Sequence, residues 1–278
     1  MKAAAFAYER PSDLNTALGL MTESDGITKV IAGGQSLGPM LNLRLVEPDL
    51  IIDIAGLSEL KQAERSGDEL VIGACITHGD IEDGRIPDVT RGAMQRVAGA
   101  IAYRAIRNRG TIGGSLSHAD PAADWVSALP ALGAKVRLRS LAGVRDLAID
   151  NFVTGALESA LRPAEIVVAV RVPVMAPSAR WGYVKACRKP GEFAHAIAAV
   201  LIDPELATAR AVIGALEAAP IILSDAALLF GGRVTGDFKR QFDAHAADAM
   251  LIEAGIANAA DRHIHITALR RAVNEASA

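Results

Sequence analysis

Apolar positions recur at helical spacing between residues 12 and 21, directly after Pro11 and behind the polar Ser12-Asp13 pair. That pattern predicts an N-capped helix. Lys29-Val30-Ile31 and the run at 50–54 read as short buried strands, with a loop and a short helix over 37–43 between them. A helix, a loop and two apolar strands within the opening residues describe a small α/β subdomain. Residues 69–74 read as a further strand, and Thr77 with Asp80 three residues later can cap the helix that follows. Residues 86–100 read as a helix entered through Pro87, and residues 124–132 as another, leading into the polar-alternating strand 135–138. Residues 165–172 form a β-branched strand that stops at Pro173. The Pro173-to-Ser178 stretch, in which two prolines bracket a short turn, is the best linker candidate. Strands at 181–186 and 209–216 follow it, then helical segments at about 224–230, 237–253 and 267–275. Strands first and helices later fit an α+β unit.

With 278 residues and 51% hydrophobic positions, the chain can bury a large core and is expected to form two domains. The net charge of -3 comes from interspersed acids and bases, so no basic patch argues for nucleic acid or an anionic membrane. No uninterrupted apolar stretch approaches the ~18 residues of a membrane span. The N-terminal apolar run is too short for a signal peptide before its charges begin, which makes a cytoplasmic protein the expectation. The two cysteines, Cys75 and Cys187, exclude a disulfide framework and a four-cysteine iron–sulfur cluster within this chain; both are expected to be free thiols.

Two glycine-pair loops carry the candidate chemistry. Ala32-Gly33-Gly34-Gln35-Ser36-Leu37 follows the strand at 29–31, and Thr111-Ile112-Gly113-Gly114-Ser115 follows Arg107-Asn108-Arg109-Gly110. Glycine lets the main chain approach a ligand closely, and unpaired N–H groups at a helix start attract phosphate. A lone Gly-Gly pair reads as a turn; two, each with a hydroxyl residue after it, suggest a diphosphate held from both sides. Neither loop matches the Rossmann or P-loop pattern. Arg107 and Arg109 could face that diphosphate or be solvated. Asp120 and Asp124 read as helix-capping acids or as acceptors for ribose or ribityl hydroxyls. His263 and His265 alternate without a third ligand, which disfavours a metal pair.

These loops, with His118-Ala119-Asp120-Pro121-Ala122-Ala123-Asp124, resemble the FAD-binding subunit or domain of the molybdenum hydroxylases over nearly the whole chain. The resemblance implies an α+β architecture: a two-subdomain FAD-binding domain of the PCMH type over 1–175, divided near residue 56, and a smaller α+β C-terminal domain over 176–278. It implies non-covalent FAD, with the molybdenum cofactor in a large partner subunit and [2Fe-2S] clusters in a small one. Electrons would pass from those clusters through FAD to NAD or another acceptor. By the same resemblance both loops bind FAD, Asp124 contacts it, Val167 could pack on the flavin, and Lys185 approaches the isoalloxazine. His118 would shape its loop, and Asp120 would be structural. Ser115 stands where the family usually has asparagine, and Glu192 where aspartate is commoner. A stand-alone FAD oxidase or dehydrogenase and a flavin-free nucleotide-binding scaffold are the competing readings.

Overall fold

The computed structural model describes residues 2–277. The first sheet is parallel and three-stranded: β1 (Ala7–Glu9) and β2 (Thr28–Ile31) flank β3 (Leu50–Asp53). Helix α1 (Leu14–Glu23) is capped by Asp13, whose carboxylate accepts from the Thr16 N–H, and it buries Leu14, Ala17 and Leu18. Helix α2 (Leu37–Asn42) follows the first glycine loop.

The second sheet is antiparallel, with β4 (Ala63–Ser66), β5 (Glu69–Gly73), β6 (Lys135–Ser140), β7 (Gly143–Ala148) and β10 (Ile166–Pro173) in the order β4-β5-β10-β6-β7. Strands β8 (Val153–Gly155) and β9 (Glu158–Ser159) form a separate hairpin. Between β5 and β6 lie α3 (His78–Glu82), α4 (Ala93–Ala100), α5 (Arg104–Arg107), α6 (Ile112–His118) and α7 (Asp124–Ala131). The capping box at Thr77 and Asp80 forms as the sequence indicates, with each residue's side chain accepting from the other's main chain. Thr77→Ala removes one half of it and is expected to lower stability by about 1 kcal/mol in urea unfolding.

The helix expected over 86–100 is only half there. Asp88 accepts hydrogen bonds from the Thr90 and Gly92 N–H groups, and Arg91 and Gly92 take positive φ of 54° and 83°. That turn places the helix start at Ala93.

The third sheet is antiparallel, in the order β11 (Arg180–Ala186), β12 (Ala196–Asp203), β13 (Thr208–Gly214), β14 (Ile221–Leu223). The expected helix over 237–253 is two helices, α8 (Phe238–Gln241) and α9 (Ala244–Glu253), because Phe242 is extended and Asp243 caps the second. Helix α10 (Ala259–Ala276) begins earlier than its apolar spacing suggested. His263 is exposed on it and His265 buried, so the two imidazoles face different ways.

Strand alternation divides this last sheet between two cores. Tyr183, Ile197, Ala199 and Val212 join the central core with Leu138, Val170 and the α7 residues. Ala198, Val200, Ile202 and Ile213 pack instead with Leu251, Leu269 and Val273 of α9 and α10. Helix α7 is buried along its whole length, including Asp124 at its first position. The contact with α10 is close: a Cβ on Gly182 would lie 1.8 Å from the Ala272 carbonyl oxygen.

Candidate functional site

The two glycine loops touch. A Cβ built on Gly33 would stand 2.1 Å from the Arg109 carbonyl oxygen and 2.9 Å from the Gly110 Cα. The Gly33 carbonyl accepts from Gln35 Nε2 at 3.0 Å and from Arg109 Nε at 3.3 Å. Gly34 has φ of 72°, a conformation natural to glycine, which turns the chain from β2 into α2.

The loops are not equivalent, which corrects the expectation of matched N–H donors on both sides. None of the N–H groups of residues 33–37 has an acceptor within the described residues. In the second loop Ile112 donates to the Ile76 carbonyl, Gly113 to the Ala74 carbonyl, Gly114 to Thr111 Oγ1 and Ser115 to the Thr111 carbonyl. Only the Thr111 N–H there is without an acceptor. The reason is local: Thr111 caps α6, and Gly113 packs where a Cβ would lie 2.5 Å from that of Ala74. The first loop is thus a run of half-buried free donors, the type of main-chain nest that binds an anion. The second loop is the wall behind it.

Arg107 is not a ligand candidate. Its guanidinium forms a two-pronged pair with Glu82 at 2.7 and 2.9 Å and donates to the Ile101 and Ala102 carbonyls, which clamps the 101–107 turn. Asp120 accepts from the Ala122 N–H in a local turn.

His78, on α3, braces the second loop from below. Its main-chain N–H donates to the Gly110 carbonyl, and its Nδ1 accepts from Trp125 Nε1 at 3.0 Å, which assigns a neutral ring protonated on Nε2. Burial, reinforced by the Arg107 charge, pushes this imidazole down to about 4. Its folded pKa therefore lies below the unfolded value near 6.5, so stability is full above that value and falls as pH drops toward 4. Between pH 7.5 and 5 the loss is expected to be about 2 kcal/mol by urea midpoint. His78→Gln should remove most of that slope, leaving the smaller contribution of His265, which burial also depresses.

Asp124 and Lys185 form a buried ion pair at 2.9 Å, with side chains 5% and 10% exposed. The structure therefore brings two predicted site residues together, although one belongs to α7 and the other to β11. Asp124 also accepts from the Tyr183 hydroxyl at 2.7 Å, and Lys185 donates to the Ala100 carbonyl at 3.3 Å. Ala100 ends α4 and Asp124 begins α7, so each charge sits at the helix end that favours its sign.

Val167 is 2% exposed and enclosed in the central core opposite Leu138, at a bulge in β10. Its side chain packs on protein and is closed off from solvent. Ile112 is likewise buried, Ala32 packs against the α1 core, and Gln35, Ser36, Leu37 and Ser115 are half-buried while Gly114 is exposed. Beyond Lys185 the chain turns at Gly191 (φ 91°), where a Cβ would come within 2.6 Å of the Tyr103 ring. Tyr103 and Phe193 are both exposed.

Sequence reading missed Tyr183, although its position two residues before Lys185 puts both on one face of a strand. It also missed the His78–Trp125 pair, for which no local signal exists. Among the described residues no group of three histidines, cysteines or acids could hold a metal ion, and no helix is long and apolar enough to cross a membrane.

Residues 4–175 match the family described as FAD binding domain in molybdopterin dehydrogenase. The chain is 37% identical over 206 residues to the caffeine dehydrogenase subunit beta of Pseudomonas sp. (strain CBB1), covering 74% of this chain and 70% of that one. It is 35% identical over 219 residues to the nicotine 6-hydroxylase medium subunit of Paenarthrobacter nicotinovorans, covering 77% and 76%. A carbon monoxide dehydrogenase structure from Hydrogenophaga pseudoflava superposes with a TM-score of 0.87 at 29% identity, covering 99% of this chain and 98% of that one. The free donors of residues 33–37 fit the diphosphate of such a cofactor, and the matched span contains both glycine loops and Asp124. This chain belongs to the family of FAD-binding domains of molybdopterin dehydrogenases.

Proposed function

We propose that this chain is the FAD-carrying medium subunit of a cytoplasmic, multi-subunit molybdenum hydroxylase. Its partners would be a large subunit with the molybdenum cofactor and a small subunit with [2Fe-2S] clusters. The relatives named as a subunit beta and a medium subunit support an assembly of this kind. FAD would supply the redox chemistry, accepting electrons from the iron–sulfur side and giving them to NAD or another acceptor.

The observation that carries this reading is the run of free N–H groups at 33–37, which would hold the cofactor's diphosphate. The Thr111 N–H faces the same task from the second loop. Gly34, Gln35 and Ser36 shape the nest, and Gly113 and Gly114 support its wall. Lys185 would place a positive charge beside the isoalloxazine, held there by Asp124. No residue of this chain needs to act as acid or base. Residues 1–175 would form the FAD-binding unit and 176–278 a second unit whose β11 supplies Lys185 and Tyr183 to Asp124.

The test is a visible spectrum of the purified chain before and after mixing with FAD, with the released cofactor identified. A flavin spectrum with saturable uptake is expected. Folded protein that neither carries FAD nor takes it up, alone or with its partner subunits, would sink the assignment.

A further inference from the structure

Tyr183 has no assigned part in flavin binding, yet its hydroxyl is spent on one site residue. It lies 4% exposed in the central core and donates to Asp124 Oδ1, while Lys185 donates to Asp124 Oδ2. Both oxygens of the carboxylate are thereby fixed, and its plane with them. Strand alternation carries Trp181, Tyr183 and Lys185 on the same face of β11, and the Trp181 and Tyr183 rings stack at 6.4 Å with only 3° between planes. The phenol is held on one side by that stack. On the main chain, its N–H donates to Glu275 Oε2, which ties the strand to α10.

Lys185 is held more sparsely. An ammonium has three donors; here one meets Asp124 and one the Ala100 carbonyl. Among the described residues the third meets no acceptor, and the side chain is nine-tenths buried. We propose that Tyr183 is a positioning residue for the flavin: by orienting Asp124 it fixes where the Lys185 charge sits and so sets the reduction potential of the bound cofactor. This rests on the reading of residues 33–37 with Asp124 and Lys185 as the FAD site.

The direction follows from charge. The phenolic O–H directs its positive end at Asp124 and partly offsets the carboxylate. Burial and that same carboxylate raise the Tyr183 pKa, so the phenol stays protonated and remains a donor throughout the working range. Without it, Asp124 is a more negative and less constrained partner, and Lys185 is drawn closer to it. Less positive charge then reaches a reduced, negatively charged isoalloxazine, and the potential falls.

The experiment compares the full chain reconstituted with FAD in four forms: wild type, Tyr183→Phe, Lys185→Met and the double variant. The readouts are the flavin midpoint potential and the FAD Kd. Tyr183→Phe should keep FAD bound and weaken reduced-state binding relative to oxidised by up to about tenfold, a fall of up to ~30 mV for a two-electron couple. Lys185→Met should lower the potential further, and Tyr183→Phe should add little in that background, because the phenol acts through the lysine. An unchanged potential in Tyr183→Phe, or an equal fall in both backgrounds, overturns the proposal. Failure of the wild type to hold FAD overturns the site assignment instead.

If Tyr183→Phe does not fold, the wild-type chain with 3-fluorotyrosine at its three tyrosines supplies a second reading. The buried Tyr183 fluorine resonance should move on flavin reduction and lose that response in Lys185→Met. A resonance indifferent to reduction overturns the proposal as well.

Discussion

Gly33→Ala is expected to weaken FAD binding by about ten- to a hundredfold, because losing one main-chain hydrogen bond to a charged group costs about 1.5–3 kcal/mol. The added methyl would lie 2.1 Å from the Arg109 carbonyl oxygen, which is main chain and cannot rotate away. The two loops must part, and the donors at 33–37 move with the first of them. Overpacking of this kind should also cost about 1–3 kcal/mol of stability. Gly19→Ala is the matched control: it lies within α1, a Cβ there meets nothing within 4 Å, and the change should stabilise by up to about 1 kcal/mol. Isothermal titration of FAD into both variants, alongside urea unfolding, separates the outcomes. Gly33→Ala binding FAD as tightly as Gly19→Ala would show that loop contact does not shape the nest.

Asp124→Ala should destabilise the chain by about 3–5 kcal/mol, the cost typical of removing one member of a buried ion pair. The change leaves the Lys185 ammonium with only the Ala100 carbonyl, and the Tyr183 hydroxyl with no acceptor, both deep in the molecule. It also removes an acid from the first turn of α7, where the helix dipole favours one. Asp124→Leu and Lys185→Met together should recover part of the loss, because no unpaired lysine is then buried, while the Tyr183 hydroxyl still lacks its acceptor. Thermal and urea unfolding of the wild type, the single variant and the double variant decide the matter. A double variant as unstable as the single would mean that the unpaired lysine is not the source of the loss.

Two capping signals were legible in the sequence, the polar residues before α1 and the Thr77–Asp80 box. The Asp13 cap, the Thr77–Asp80 box and both glycine loops are short patterns whose physics is contained within a few residues. Strand β12 was not read at all, and its composition explains why. Ala196, Ala198, Ala199 and their neighbours are buried on both faces of the sheet, so no polar alternation marks them, and alanine carries no strand preference. The helix over 86–100 failed at Arg91-Gly92, where side-chain acceptance by Asp88 outweighed an apolar period.

The site divides along the same line. Its donors were legible because they follow one another in the chain. The unequal roles of the two loops were not, because the acceptors that occupy the second loop's N–H groups lie at Ala74 and Ile76. Tyr183 meets Asp124 across 59 positions of sequence, and Lys185 meets it across 61. Resemblance supplied the two residues of that pair but not their bond.

Helix α7 is enclosed by two sheets, one of them made by residues that follow Pro173. During synthesis the first 175 residues leave the ribosome with one flank of that helix still wet and Asp124 lacking both of its partners. Burial of that flank awaits β11 to β13, and Asp124 awaits Lys185 from the same stretch. The span that carries the family signature is therefore not expected to behave as a detachable cassette. Grafted elsewhere, it would arrive with an open flank and half of a charge pair, and cofactor loading would follow completion of the chain.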